Sequence, residues 1–258
     1  MNIKYYWNNK QNRANMAIEH TKQMEKKYSN EIKQSINETK IYTSNIISFL
    51  STDNIPEIEV VDVDSVGAIE KYSNGKTAIL NFASFSNPGG GFIIGSRAQE
   101  ECLCHESFLY NVLKEFNEYY EWNRQHKNNS MYQHRALYSP DIIFEHNNKQ
   151  ILCDVITCAS PNISWALKTN DTRTLKLNEN VLKERIKMIL DIAAKERVDT
   201  LILGAFGCGA FRQSPETVSK YFNYWLHFGI YGDFKKVIFA IPQSIDKTNY
   251  DVFIKNIK

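Results

Sequence analysis

Three consecutive glycines, Gly89, Gly90 and Gly91, are followed by the seven-residue spacer Phe92 to Ala98 and then by Gln99, Glu100 and Glu101. Glycines lack Cβ atoms, so they can take φ > 0 and turn several N–H groups toward one anion. An amide and two adjacent acids a short loop away supply hydrogen-bonding and proton-transfer groups. Together they point to a site that grips a phosphate-bearing molecule and performs acid/base chemistry on it. Either half alone would mark only a tight turn, or two solvated acids where a helix dipole favours negative charge.

The elements around this run must position it. Thr77 to Ala83 reads as a buried strand, mostly apolar and bounded by Ser73-Asn74-Gly75 and Pro88-Gly89. The stretch 97–117 is rich in helix formers, with Leu103, Tyr110 and Leu113 near helical spacing. Strand, glycine turn and helix start put a ligand at the C-terminal edge of a sheet, where α/β proteins bind. A second unit repeats the plan. Thr200 to Phe206 reads as a strand, Gly207-Cys208-Gly209-Ala210 as a small-residue loop closed by Phe211, and Ser214-Pro215-Glu216-Thr217 as a helix start. Two such loops would clamp a diphosphate from both sides, with Phe211 packed on a ribose or base.

The rest of the chain alternates strands and helices. Strands are expected at 58–63, 77–83, 151–157, 200–206 and 236–241. Helices are expected at 97–117, 178–197, 215–228 and 246–256. Leu182, Ile186, Ile189 and Ala193 give the 178–197 helix an apolar stripe. This alternation predicts a layered α/β sheet. Residues 1–50 carry a helical pattern (Met16, Ile18, Met24, Tyr28, Ile32, Ile36) among many charges, which predicts one or two helices packed on the edge of a domain spanning 51–258. Residues 117–150 are aromatic and polar without clear period. Tyr119, Tyr120, Tyr132 and Tyr138 there either line the cleft or pack over the sheet.

These residues resemble the bacterial-type poly(ADP-ribose) glycohydrolases, which are built on a macrodomain. The family signature is three glycines, a spacer of six to eight residues and Gln-Glu-Glu, and Gly89 to Glu101 matches it. Tyr119-Tyr120-Glu121, Tyr138 to Asp141, Val155-Ile156-Thr157 with Pro161-Asn162, and Gly204 to Phe211 also look like family stretches, and Asn12 to Tyr42 resembles the family's helical lead-in. The resemblance implies a three-layer α/β/α fold with a mixed central sheet and an N-terminal helical extension. It implies that Glu101 is the catalytic glutamate, that Glu100 holds the distal ribose hydroxyls and that Gln99 fixes the loop. Gly89, Gly90 and Gly91 would wrap the ADP-ribose near the scissile bond. Gly207, Cys208, Gly209 and Ala210 would hold the diphosphate beside Phe211. One position departs: Ser84 stands where many macrodomains have a ribose-contacting Asn, which leaves Asn81 or Asn87 to take over that contact.

The chemistry suits these residue types independently. Cleaving an O-glycosidic bond between riboses passes through an oxocarbenium-like state, which needs a proton on the leaving oxygen and then a deprotonated water. A glutamic acid raised by partial burial, and further by a neighbouring carboxylate, does both in turn. Successive helix residues point about 100° apart, so one acid/base and one orienting group are expected, not a facing pair. No cofactor or metal is required. The expected activity is release of ADP-ribose from poly(ADP-ribose). The alternatives are a hydrolase of single ADP-ribose units on protein or nucleic acid, and a module that binds ADP-ribose without turnover.

Composition agrees. Lys+Arg 31 against Asp+Glu 29 gives a formal net charge of +2, so nothing demands a nucleic-acid or anionic-membrane partner. The lysine clusters at 22–27 and 235–236 read as solvated faces. The five cysteines, Cys102, Cys104, Cys153, Cys158 and Cys208, include no C-x-x-C pair and read as reduced thiols. Cys104 and His105 are sequence neighbours and do not face each other as nucleophile and base. Met1 to Lys10 is polar, with no apolar core of a secretory signal, and no apolar run approaches membrane-spanning length. A cytoplasmic monomer is expected.

Overall fold

The computed structural model describes residues 9–43, 56–229, 234–245 and 247–258. The first eight residues of the polar start, the 50/51 boundary and the first residue of the 246–256 helix lie outside the described residues. Helices α1 (Lys10–Lys27) and α2 (Ser29–Glu38) lead into strand β1 (Lys40–Thr43). There follow β2 (Glu57–Val61), α3 (Ser65–Tyr72), β3 (Thr77–Phe82), a 3-10 turn at Phe92–Ile94, α4 (Gln99–His105), α5 (Leu109–Leu113), α6 (Asn117–Gln125) and a second 3-10 turn at Asn128–Ser130. The second half holds β4 (Arg135–His146), β5 (Lys149–Cys158), α7 (Ser164–Thr169), α8 (Thr172–Lys195), β6 (Thr200–Leu203), α9 (Pro215–Phe228), β7 (Lys236–Ala240) and α10 (Lys247–Asn256).

The strands form one seven-stranded sheet in the order β1-β4-β5-β3-β6-β7-β2. The block from β5 to β2 is parallel, whereas β4 runs antiparallel to β5 and to β1. Both faces are covered, because alternate residues of a strand point to opposite sides. Ala78 and Leu80 face the layer of α8, α9 and α10, with Leu182, Ile186, Ile189, Ala193, Phe222 and Phe253. Ile79 faces the other layer, with Val66, Ile69, Leu103, Val112, Met24 and Ile32. Each fully buried Leu, Ile or Phe in these layers contributes about 1.5–3 kcal/mol. The fold is a mixed-sheet α/β/α sandwich.

Several boundaries differ from expectation for physical reasons. The single helix expected at 97–117 is two short ones. Ser107 bridges to Phe144 on β4, its hydroxyl donates to the Leu103 carbonyl at 2.7 Å, and it accepts the Leu109 N–H at 3.1 Å, so the helix breaks there. Helix α8 starts six residues before 178, because Asp171 accepts the Thr174 N–H at 3.1 Å as an N-cap. At α9, Pro215 opens the helix as expected, but the Ser214 side chain makes no capping bond. The expected strand 200–206 ends at Leu203 and 58–63 at Val61. Helices α3 and α7 were not anticipated. The aperiodic stretch 117–150 holds α6 and the long strand β4. The N-terminal segment is helical, but it also supplies an edge strand, β1, on β4. Met24, Tyr28 and Ile32 of its apolar pattern are buried, whereas Ile18 is exposed.

Candidate active site

Strand β3 delivers the chain to the site. Gln99 continues the ladder beyond its end: its Oε1 accepts the Phe82 N–H at 2.8 Å, and its amide donates to the Leu80 carbonyl at 2.9 Å and the Ser65 hydroxyl at 3.1 Å. The first turn of α4 is thereby locked onto the sheet edge. From behind, α1 holds the glycine loop, with Arg13 Nε donating to the Gly95 carbonyl at 2.8 Å. Phe92 is fully buried beneath it, with the His105 and Tyr110 rings 4.6 and 5.0 Å away.

Gly89 and Gly90 take the left-handed conformation, with φ of +63° and +60°, whereas Gly91 does not, at −105°. A Cβ on Gly90 would lie 2.6 Å from Glu101 Oε1 and 2.8 Å from Glu100 Oε2. Both acids therefore close on one glycine. The Gly91 N–H donates to Glu101 Oε1 at 2.7 Å, and the Ala98 N–H donates to Glu101 Oε2 at 2.7 Å. Glu100 reaches the other way, accepting the Ser84 N–H at 2.7 Å and the Asn81 amide at 3.3 Å. Adjacency on a helix implied divergent side chains, but the two carboxylates converge, because the loop and the strand end draw them in from opposite sides.

The acid held well above its ordinary value is Glu100, pushed up to about 8 by burial, against the Ser84 N–H and the Asn81 amide that favour its charge, with Glu101 nearby pushing it further up. Asn81 is fully buried and spends its amide on Glu100 and on the Thr157 hydroxyl at 3.3 Å, so it stands behind the acid. The Ser84 hydroxyl accepts the N–H groups of Ser86 and Asn87 at 3.3 and 3.2 Å, shaping the turn. Asn87 is exposed on that turn. Cys104 is buried beneath Gly89 with its thiol pushed well up by burial, and burial pushes His105 down to about 4. Both shifts oppose a thiolate–imidazolium pair.

The second loop meets the first through aromatic contacts. A Cβ on Gly204 would strike the Phe82 ring at 2.9 Å, and Phe82 also packs edge-on against Phe206 at 6.0 Å. Gly207 has φ of +76°, and a side chain there would meet Ser160 Oγ at 2.3 Å. Cys208 is partly buried, while Gly209 and Ala210 are exposed. Phe85, on the first loop, stacks on Tyr132 at 4.2 Å, and Tyr132 lies 6.2 Å from Phe211 on the second. Of the four tyrosines, Tyr132 alone belongs to this wall, because Tyr119, Tyr120 and Tyr138 are core residues.

Two features had no clear signal in the sequence. Phe85 gave no periodic cue, and its carbonyl is fixed by the Asn123 amide at 2.8 Å. Arg185 lies within the apolar pattern of α8 yet is fully buried. It donates to the Ala159 and Met131 carbonyls and, at 3.0 Å, to His134 Nδ1. Burial and the guanidinium push His134 down to about 4, so neutral groups surround that cation. Among the described residues no group of three His, Cys, Asp or Glu side chains is arranged to hold a metal ion.

The sequence model of the family described as microbial-type PARG, catalytic domain, matches residues 7–147, a span that includes the glycine loop and both acids. The chain belongs to the microbial-type PARG family. This PARG-family chain is accordingly a glycosidase, a hydrolase acting on poly(ADP-ribose). Its fold is similar to the poly(ADP-ribose) glycohydrolase of Thermomonospora curvata, at a TM-score of 0.85 and 24% identity over 95% of this chain and 99% of that one. The same enzyme bound to the inhibitor ADP-HPD is similar at 0.83 and 25%, covering 94% and 98%. The Deinococcus radiodurans enzyme in complex with ADP-ribose is similar at 0.79 and 28%, covering 87% of this chain and 96% of that one. No protein with a curated description matches.

Proposed function

We propose that the cleft takes one ADP-ribose unit of the polymer, with its diphosphate along Gly207 to Ala210, its nucleoside beside Phe211 and its scissile bond at Glu101. One observation carries this: Glu100 and Glu101 both close on Gly90, in the loop expected to wrap the ribose. Glu101 donates a proton to the leaving ribose oxygen as the anomeric C–O bond breaks, and the bonding pair departs with that oxygen. Water then adds to the oxocarbenium-like carbon and gives a proton to Glu101, which regenerates the acid and frees ADP-ribose. Glu100 orients the distal ribose hydroxyls, and Gln99 fixes the loop. Asn81 and Ser84 act through Glu100, which both of them hold. Positioned proton transfer supplies about 10² to 10⁴-fold, and binding the diphosphate supplies the rest.

A second reading has its own support. Glu100 is the acid pushed up to about 8, which makes it the rival proton donor. Labelled polymer separates the two. Glu101→Gln stops release of ADP-ribose in the first reading, whereas in the second it retains release and Glu100→Gln abolishes it. Release from mono-modified protein or DNA without release from polymer would move the substrate to single units, and tight ADP-ribose binding without turnover would leave a binding module. The reading extends to a monomer in a reducing, cytoplasmic compartment, supported by five free cysteines.

A further inference from the structure

The helix α7 and the first turns of α8 lie against the nucleotide side of the cleft. The Ile163 N–H, one residue before α7, donates to the Phe211 carbonyl at 3.1 Å. Gln213 and Asn178 exchange two amide hydrogen bonds, at 3.0 and 2.8 Å, which tie the end of the small-residue loop to α8. On this face Trp165 is 64% and Leu177 47% exposed. Four exposed cations accompany them: Lys168, Arg173, Lys176 and Arg212. Among the described residues none of these four has a carboxylate within ion-pairing distance. Asp171, the acid nearest Lys168 and Arg173 in sequence, accepts the Thr174 N–H and hydroxyl, and it also attracts the Arg173 guanidinium. Of the lysines that cluster elsewhere, Lys27 pairs with Glu145, Lys235 with Asp199, and Lys236 with Glu57 and Glu59. A Cβ on Gly209 would meet nothing within 4 Å, so the outer side of the loop is open where a strand would pass.

We propose that this face receives the poly(ADP-ribose) strand that continues from the nucleoside end of the unit held in the cleft. The inference rests on the reading of the cleft given above. A polymer of ADP-ribose carries two phosphates and one flat base per unit, and a solvated indole among exposed cations matches both. Such a face would let the enzyme engage units inside a chain as well as at its end. An oligonucleotide offers similar chemistry, but its backbone has no terminal unit to seat between the two glycine loops.

The test compares the wild-type chain with Trp165→Ala and with the combined variant Lys168→Glu, Arg173→Glu, Lys176→Glu. The readouts are the Kd for ADP-ribose and the KM for long polymer across a salt series. The expected result is a Kd within about twofold of wild type and a KM raised roughly tenfold by either variant, as for loss of one stacked base. For the combined variant the slope of log KM against log salt should flatten by about two, the value for three lost phosphate contacts on a single strand. Equal changes in Kd and KM, or no change in either, would overturn the proposal. So would a single-stranded oligonucleotide that competes as well as polymer on the wild type and loses this competition on the variant. Failure of the wild-type chain to release ADP-ribose from any polymer is a different result, and it would overturn the cleft reading itself.

Discussion

Gly91 donates its N–H to Glu101 Oε1 at 2.7 Å, so the loop proposed to enclose the ligand and the acid proposed to cut it are joined by a direct bond. Both Glu101 oxygens accept backbone N–H groups, from Gly91 and Ala98. A glutamine there offers only one acceptor and turns its NH₂ toward the other donor. Glu101→Gln should therefore cost about 1–3 kcal/mol of stability. It should also lower kcat by about 10² to 10⁴-fold. Steady-state release of ADP-ribose and urea melts measure the two effects separately. Full activity in this variant would remove Glu101 from the chemistry.

Gly90 is fixed by space as well as by conformation. An added methyl would sit within 3 Å of both carboxylates at a φ of +60°. Gly90→Ala should cost about 1–2 kcal/mol in backbone strain. Its effect on turnover should be far larger, because both acids must shift. A variant that melts near the wild-type temperature and has lost turnover is the expected outcome. Near-normal kcat would mean that the two acids need not converge on this glycine.

The acid Glu100 also makes a signature in pH. Its carboxyl is pushed up to about 8 in the folded chain, against an ordinary value of 4.5. The folded state therefore holds a proton that the unfolded state releases above 4.5. The associated stability is fully present below pH 4.5 and is lost as pH rises toward 8, with a slope of up to about 1.4 kcal/mol per pH unit. Glu100→Gln should flatten that part of the curve. Chemical denaturation at half-unit steps from pH 4.5 to 8.5 measures it, and identical slopes for the two proteins would remove the buried proton.

What was legible in the sequence follows from which forces are local. Strands β3 and β6 lie inside a parallel block, so both faces are apolar and a short apolar run betrays them. Strand β4 escaped because its register shifts between Ser139 and Ile142, around Pro140 and an Asp141 with φ of +55°, which breaks the alternation. The break between α4 and α5 was equally hidden, since it comes from Ser107 pairing with Phe144, a contact that no local pattern encodes. In the site, the residue types and spacing of the glycines and acids were readable. The direction of each carboxylate was not, because it depends on the Ser84 and Gly91 N–H groups, which loop closure brings to opposite sides of Gly90.

Arg185 supports the most demanding prediction. Its guanidinium is fully buried, donates to the Ala159 and Met131 carbonyls and to His134, and so joins the segment before Ser160 to the segment that carries Tyr132. Those segments back the second loop: Ser160 fills the space beside Gly207, and Tyr132 stands between Phe85 and Phe211. Arg185→Met keeps the volume and leaves the carbonyls without donors, at about 1–3 kcal/mol for each group left unsatisfied. Arg185→Lys keeps the charge and at most part of the bonding, so it should lie between wild type and Met in urea midpoint. Ligand affinity should follow the same order, because the wall proposed to sit beside the nucleoside loosens while Glu101 is untouched. Isothermal titration with ADP-ribose on the two folded variants reads this directly. If both bind as tightly as wild type, Arg185 serves the core alone and the aromatic wall is held by other contacts.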